Sequence, residues 1–383
     1  MSKLNIGRIQ NENEDGSASV SGISTFSSTA FLETPKGTTA QRPDNPQPGM
    51  IRFNTDSGHL EYYTGDFWDE VLVENNTLDG GNRGIFAGNN PQPADGSGNT
   101  IEYVTISSLG NTINFGSRIG LGRRQIAAMS DRTRAVFAGS YAAIDNVIDF
   151  VTISSTGNAQ DFGDTLSGVS GNALTETTGI SNSTRGIMAG GRNPAQVNVI
   201  SYITIQATGN AIDFGDLTNL RRNCGSLQSS TRGIIGGGRD GPGVDVNIIE
   251  YITISTCGNA IDFGDLDTAS HGRETMGGGN STRGIFAGGF GQPSNANTNT
   301  ISFITIASTG NAQDFGDLTS ATAGMNTMAS SPTRACMFGS SIPARTLSYV
   351  TIASTGNAIS FGNFTVDPTS NYYSGCSNGH GGL

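Results

Sequence analysis

Charged residues are scarce in this chain, at 14% of 383 positions, and a single tryptophan, Trp68, is present. No run of about 18 apolar residues occurs, which excludes a hydrophobic membrane-spanning helix. The N-terminus, MSKLNIGRIQNENEDG, has no apolar centre and does not read as a signal peptide. Histidine is rare, with His59, His271 and His380 standing in unrelated contexts. The four cysteines, Cys224, Cys257, Cys336 and Cys376, include no CxxC pair, which argues against a zinc site. They read instead as small buried hydrophobes of a chain folded in a reducing cytoplasm. Basic residues number 21 against 32 acidic ones, for a net charge of −11, and such a surface repels nucleic-acid phosphate. HExxH does not occur, so the common zinc-protease constellation is missing.

Glycine is abundant instead, with 55 residues, and Ser, Thr and Asn fill much of the remainder. That mixture suits short strands joined by tight turns. The string NAIDFGDL stands at 210–217 and again at 259–266, with a near copy, NAQDFGDL, at 311–318. Looser copies are NTINFGSR (111–118), NAQDFGDT (158–165) and NAISFGNF (357–364). The arginine opening each RGIFAGG-like string falls at Arg83, Arg134, Arg185, Arg232, Arg283 and Arg334, spaced by 51, 51, 47, 51 and 51 residues. One unit, from Arg222 to Leu266, divides into four strand signals: RNCGSLQSS, RGIIGGG, the β-branched NIIEYITIS, and AIDFGDL after the TCGN turn. Four strands in about fifty residues is the content of one propeller blade.

The pattern resembles the kelch repeat, with a Gly pair closing the second strand (Gly190–Gly191, Gly237–Gly238, Gly288–Gly289) and an aromatic pair across the third and fourth. That pair is Tyr103 with Phe115, Phe150 with Phe162, Tyr202 with Phe214, Tyr251 with Phe263, Phe303 with Phe315, and Tyr349 with Phe361. Kelch usually has Trp at the second aromatic position; here it is Phe throughout. The first unit starts at its second strand, whereas the C-terminus, NYYSGCSNGHGGL, reads as a first strand with nothing after it. The expectation is therefore an all-β chain whose residues 79–383 form a six-bladed kelch-like propeller of four-stranded blades. Residues 372–378 would complete the first blade, so that the ring has no open edge.

The Asp pairs of the repeated string give way to Asn114/Ser117 and Ser360/Asn363 in two copies. That exchange suits a side chain capping a turn better than a calcium ligand. The six arginines recur without exception and read as structural, their stems packed between sheets and their guanidinium groups on loop carbonyls. No metal or cofactor is expected, and no catalytic residue is assigned. The loops between second and third strands vary, and scaffolded loops are where binding residues sit. Tyr141, Arg192, Arg239, Asp240, Phe290, Gln292 and Arg345 are the candidate ligand contacts, with a cell-surface glycan as the expected ligand.

Residues 1–78 do not repeat. Residues 1–35 read as an extended arm ordered by a partner. Residues 36–78 read as a small meander with strands at MIRFNT, HLEYYT and FWDEVLV. This segment resembles an N-terminal module of tailed-phage virion proteins, especially those of phages infecting cyanobacteria. The likeness is carried by Lys36–Gly37–Thr38–Thr39, Arg42–Pro43, the run Pro48 to Thr55 including Arg52 and Asn54, and Leu60–Glu61–Tyr62–Tyr63 with Gly65 and Trp68. The resemblance implies a virion location, assembly in the host cytoplasm, and attachment to other virion proteins through Arg42, Pro43, Arg52, Asn54, Tyr62 and Trp68. The resemblance does not say which virion part; the favoured role is fibre or tail/neck-associated, in which a homotrimer would fit. The competing expectations are a purely architectural capsid-decoration or collar protein and an adaptor of a bacterial surface protein.

Overall fold

Strands dominate a computed structural model of the chain, which describes residues 34–71, 82–88, 99–120, 123, 125–139, 146–166, 174–267, 272–291, 295–324, 327–338, 346–365 and 373–383. The chain divides into two units, Met1–Glu74 and Asn75–Leu383. Among the described residues the fold is all-β, with one short 3₁₀ turn at Thr39–Gln41 and no α-helix.

In the small unit the strands are β1 (Lys36–Gly37), β2 (Ile51–Asn54), β3 (His59–Tyr63) and β4 (Trp68–Val71). β1 lies parallel to β2, and β3 and β4 follow antiparallel. The sequence pattern showed only the last three, because two residues carry no periodicity. The alternation is inverted relative to an ordinary sheet. Arg52, Asn54 and Glu61 are buried, whereas Ile51 (51% exposed), Phe53 and Tyr62 on the opposite face, with Phe67 (59%) beside them, meet solvent. The buried face is held by charge: Glu61 accepts from Arg42 Nε at 3.2 Å and Asn54 Nδ2 at 3.1 Å, with Arg52 Nε at 3.4 Å. The hydrogen bond from Arg42 holds the Glu61 carboxyl below the usual carboxylate range.

Among the described residues the large unit holds six main antiparallel sheets, five of four strands and one of five, besides two short two-stranded pairs. The first joins Arg83–Ala87, Thr100–Thr105 and Ile113–Ser117 to Ser374–Ser377 from the C-terminus, with Cys376 opposite Ile85. The others are continuous in sequence and begin at Ala127–Ser130, Thr178–Ser181, Gly225–Gln228, Met276–Gly279 and Ala329–Ser330. Apolar clusters form between consecutive sheets, for example Ile85, Ile101 and Phe115 with Ala128, Phe137 and Val151. Three cysteines are buried, and Cys257, in a turn, is exposed, contrary to the expectation of four buried thiols.

First strands bond to one another in chain order. Ser130 N donates to Ser181 Oγ (3.0 Å), Thr178 Oγ1 to Ser226 Oγ (2.6 Å), and Gly279 N to Ser330 Oγ (3.4 Å). Ser377 Oγ donates to Ser330 O, and Ser130 Oγ to Ser377 O (2.8 Å), so the terminal strand touches the sheets on both sides of it. Asn378 Oδ1 accepts from Arg83 N at 3.0 Å across 295 residues. Asn182 and Asn280 make the same turn cap within single loops, to Arg185 N and Arg283 N.

The repeated string is a joint between sheets. In NAIDFGDL the Phe carbonyl accepts from the Gly of the next sheet's Gly-Asn turn: Phe115 from Gly157, Phe162 from Gly209, Phe214 from Gly258, Phe263 from Gly310, Phe315 from Gly356, and Phe361 from Gly110. The turn Asn then accepts from the backbone two residues after that Phe, as Asn210 Oδ1 does from Asp164 N (3.0 Å) and Asn259 Oδ1 from Asp216 N (3.1 Å). Here the cap is the Asn and not the Asp: Asp161, Asp213, Asp262 and Asp314 point to solvent, which is why that column tolerates Asn and Ser. The Gly after Phe does not tolerate change. At Gly264, φ is +145°, and a Cβ would lie 2.6 Å from Gly310 C and O.

The repeated arginines tie the same neighbours. Arg83 Nη1 donates to Ile153 O (2.8 Å), Arg134 to Ile205 O (3.1 Å), Arg185 to Ile254 O (2.8 Å), Arg232 to Ile306 O (2.9 Å), Arg283 to Ile352 O (2.9 Å) and Arg334 to Ile106 O (2.9 Å). Each guanidinium also lies 4.6–4.8 Å from the centre of its own sheet's third-strand aromatic ring. That ring packs edge-on against Phe115, Phe162, Phe214, Phe263, Phe315 or Phe361, at 5.8–6.2 Å between centres. Arg232 also donates to Ala307 O at 2.8 Å. Arg232→Ala is therefore expected to cost about 2–3 kcal/mol, from a lost cation–π contact and charge-assisted bonds. Arg232→Lys should recover less than half of that, because a shorter, strongly hydrated ammonium loses the planar stacking over the Tyr251 ring that aims Nη1 at both carbonyls. Urea unfolding midpoints of the three proteins read the effect.

Candidate functional site

At one end of the large unit, the segments leading into first strands meet the loops between second and third strands. Thr175 bridges to Arg192, Arg221–Arg222 pairs with Arg239–Asp240, and Arg273 bridges to Phe290. The next residues, Gln125, Glu176, Asn223 and Glu274, open successive sheets in the left-handed conformation, with φ of 54°, 59°, 54° and 61°. Non-glycine residues take that region only where their surroundings impose it. Here a backbone relay does so: Glu176 N donates to Gln125 O, Asn223 N to Glu176 O, and Glu274 N to Asn223 O, at 2.8–3.0 Å.

Charges of alternating sign gather on this relay. Glu176 is held by Arg222 and, at 3.5 Å, by Arg192 Nε. Arg273 Nη1 lies 3.4 Å from Asp245 Oδ1, and its guanidinium sits 4.2 Å from the centre of the Phe290 ring. Burial raises the Glu274 carboxyl above the usual carboxylate range, nearby Glu176 adds to this, and Arg273 opposes it. Glu176 is 3% exposed, while Arg192, Arg222 and Arg273 keep partly exposed side chains. Deeper in the sheets, Asp149 is neutralised by Arg118 and Arg123, and Glu250 by Arg221.

Of the loop residues singled out from the sequence, Arg192 and Phe290 come to this cluster. Arg239 Nε donates to Gly243 O (2.7 Å) and Asp240 Oδ1 accepts from Val244 N (2.7 Å), so both shape their own loop. Tyr141, Gln292 and Arg345 lie outside the described residues. Sequence reasoning missed Glu176, Arg222, Asn223, Arg273 and Glu274. Their one signal was a polar or charged residue just ahead of each apolar first strand. Among the described residues no three His, Cys, Asp or Glu side chains come together in a group able to hold a metal.

In the small unit, Arg42 and Arg52 stand 5.9 and 6.0 Å from the Trp68 ring centre and share Glu61. Arg52 and Asn54, expected as attachment contacts, are 6% and 1% exposed and serve the interior of the sheet. Pro43 and Tyr62 remain exposed, and the Tyr62 hydroxyl reaches Asp69 Oδ2 at 3.5 Å. No protein-family model matches this chain, and no curated protein proved similar to it.

Proposed function

We propose that this chain is a structural protein of a tailed-phage particle, fibre or tail/neck-associated. In this reading the six sheets are blades of a closed, six-bladed kelch-like propeller. The small unit attaches it to other virion proteins, and the loop face meets host-surface glycan. Support for closure comes from two sets of bonds that each run from sheet to next sheet and from the sixth to the first, the Phe–Gly joints and the arginines, and from the terminal-strand serine bond to the sixth sheet. Support for attachment comes from the apolar Ile51–Phe53–Tyr62–Phe67 face, since a surface of that kind on so small a sheet marks a contact with another protein.

The observation that carries the reading is that inversion: charge inside, hydrophobes outside. Ile51→Asp with Phe53→Asp is expected to leave the isolated protein folded and to lower its incorporation into particles by about tenfold or more. Immunogold labelling and mass spectrometry of purified particles measure this. Undiminished incorporation would refute the attachment role. A second reading, architectural decoration without a receptor, is favoured by the internal bonding of Arg239 and Asp240. A glycan array separates the two.

A further inference from the structure

We propose that Gln125, Glu176, Asn223 and Glu274, with Arg222, form a binding site for an uncharged, hydroxyl-rich ligand, a sugar residue. The proposal rests on the display reading above; it adds a place that the variable loops did not supply and narrows the glycan to an uncharged sugar residue.

The first observation is unmet hydrogen-bonding capacity. Gln125 and Asn223 are 8% and 2% exposed, yet Gln125 Oε1 and Asn223 Oδ1 have no hydrogen-bond partner among the described residues. Arg222 Nε is buried and unpartnered as well. Buried polar groups are almost always bonded, so three orphans on adjoining segments point to a missing partner. The second observation is the relay that fixes these side chains on rigid strand starts and not on loop tips.

The chemistry selects the ligand. The orphans are two acceptors and one donor. A hydroxyl group both donates and accepts, whereas a cation would satisfy only the acceptors and an anion only the guanidinium. Charge agrees, since Arg192, Arg222 and Arg273 face Glu176, Asp245 and Glu274, three against three. A balanced group attracts neither phosphate nor metal strongly. Vicinal hydroxyls of a hexose can bridge amide, carboxylate and guanidinium, and the partly exposed arginines leave a way in.

The test is saturation-transfer NMR on the full chain with methyl glycosides of glucose, galactose and mannose and with N-acetylglucosamine. The variants are Gln125→Gly with Asn223→Gly, since glycine accepts the left-handed backbone at both positions and removes only the amides. The wild type should show transfer from at least one sugar, and the double variant should bind it at least about tenfold more weakly. Its melting temperature should be unchanged or higher, because an orphaned buried amide disfavours folding. Should the glycine pair fail to fold, Glu274→Gln replaces it, with the same expected loss. Equal binding by the variants, or no transfer from any of the four sugars, overturns the site. So does a lowered melting temperature with binding retained, which would make the amides structural. Labelling of particles for the wild-type protein keeps the two ideas apart. Absence of the wild-type protein from particles sinks the virion reading alone, and absent sugar binding with normal incorporation sinks the site alone.

Discussion

Deleting residues 374–383 is expected to abolish cooperative folding of the large unit. Among the described residues Ser374–Ser377 is the only first strand supplied from the far terminus, and it completes the sheet that starts at Arg83. Without it, Arg83–Ala87 becomes an open edge with Ile85 and Phe86, both fully buried in the intact chain, uncovered along it. Two further losses follow at the neighbouring sheets. Ser374 Oγ no longer donates to Ile126 O (2.6 Å), nor Gly375 N to Thr327 O (2.9 Å). Four ladder positions, the buried Cys376 and these cross-sheet bonds together represent about 5–10 kcal/mol, which matches the whole stability of an ordinary domain. The expected readout is loss of a sigmoidal urea transition together with precipitation. A soluble truncation with an unchanged transition would show that the C-terminal strand is dispensable.

The second expectation concerns acid. Residues 373–382 are buried, and His380 lies among the turns of other sheets. Its Nε2 lies 2.8 Å from Ser130 O and must carry the proton there, which leaves Nδ1 to accept from Gln228 Nε2 (3.0 Å) and Gly382 N (3.1 Å). A second proton on Nδ1 would face two donors. Burial pushes His380 down to about 4, the Ser130 carbonyl and Asp131 pull the other way, and Arg132 adds to the fall. The folded value lies below the unfolded 6.5, so the unfolded chain binds more protons between them. Stability from this group is complete above about pH 6.5, declines as pH falls toward 4, and is then lost, amounting to about 3 kcal/mol. Urea midpoints at pH 7.5 and 4.5 should differ accordingly. In His380→Gln, which keeps hydrogen bonding without titrating, most of that difference should disappear. An equal acid shift in both proteins would place the pH dependence elsewhere.

Local pattern sufficed for much of this molecule. Strand positions such as Arg232–Gly236, Ile248–Thr253 and Ile261–Asp265 follow from β-branched density and glycine turns within a dozen residues, and six copies repeat that information. The all-β class and the four-stranded sheets came from the sequence alone for that reason. What each column does was settled by the neighbouring sheet. The Asp column looked like a cap, yet the cap comes from an Asn about 45 residues away, as Asn210 to Asp164 shows. The arginines found their carbonyls about 70 residues on. Glu176 and Arg222 meet only because two sheets adjoin, and Ile51 faces solvent only because Arg52 and Asn54 close on Glu61. Periodicity encodes which residues form strands, since that depends on near neighbours along the chain. Partners far apart in sequence are fixed by packing and by the need to satisfy buried charge, which no single repeat contains.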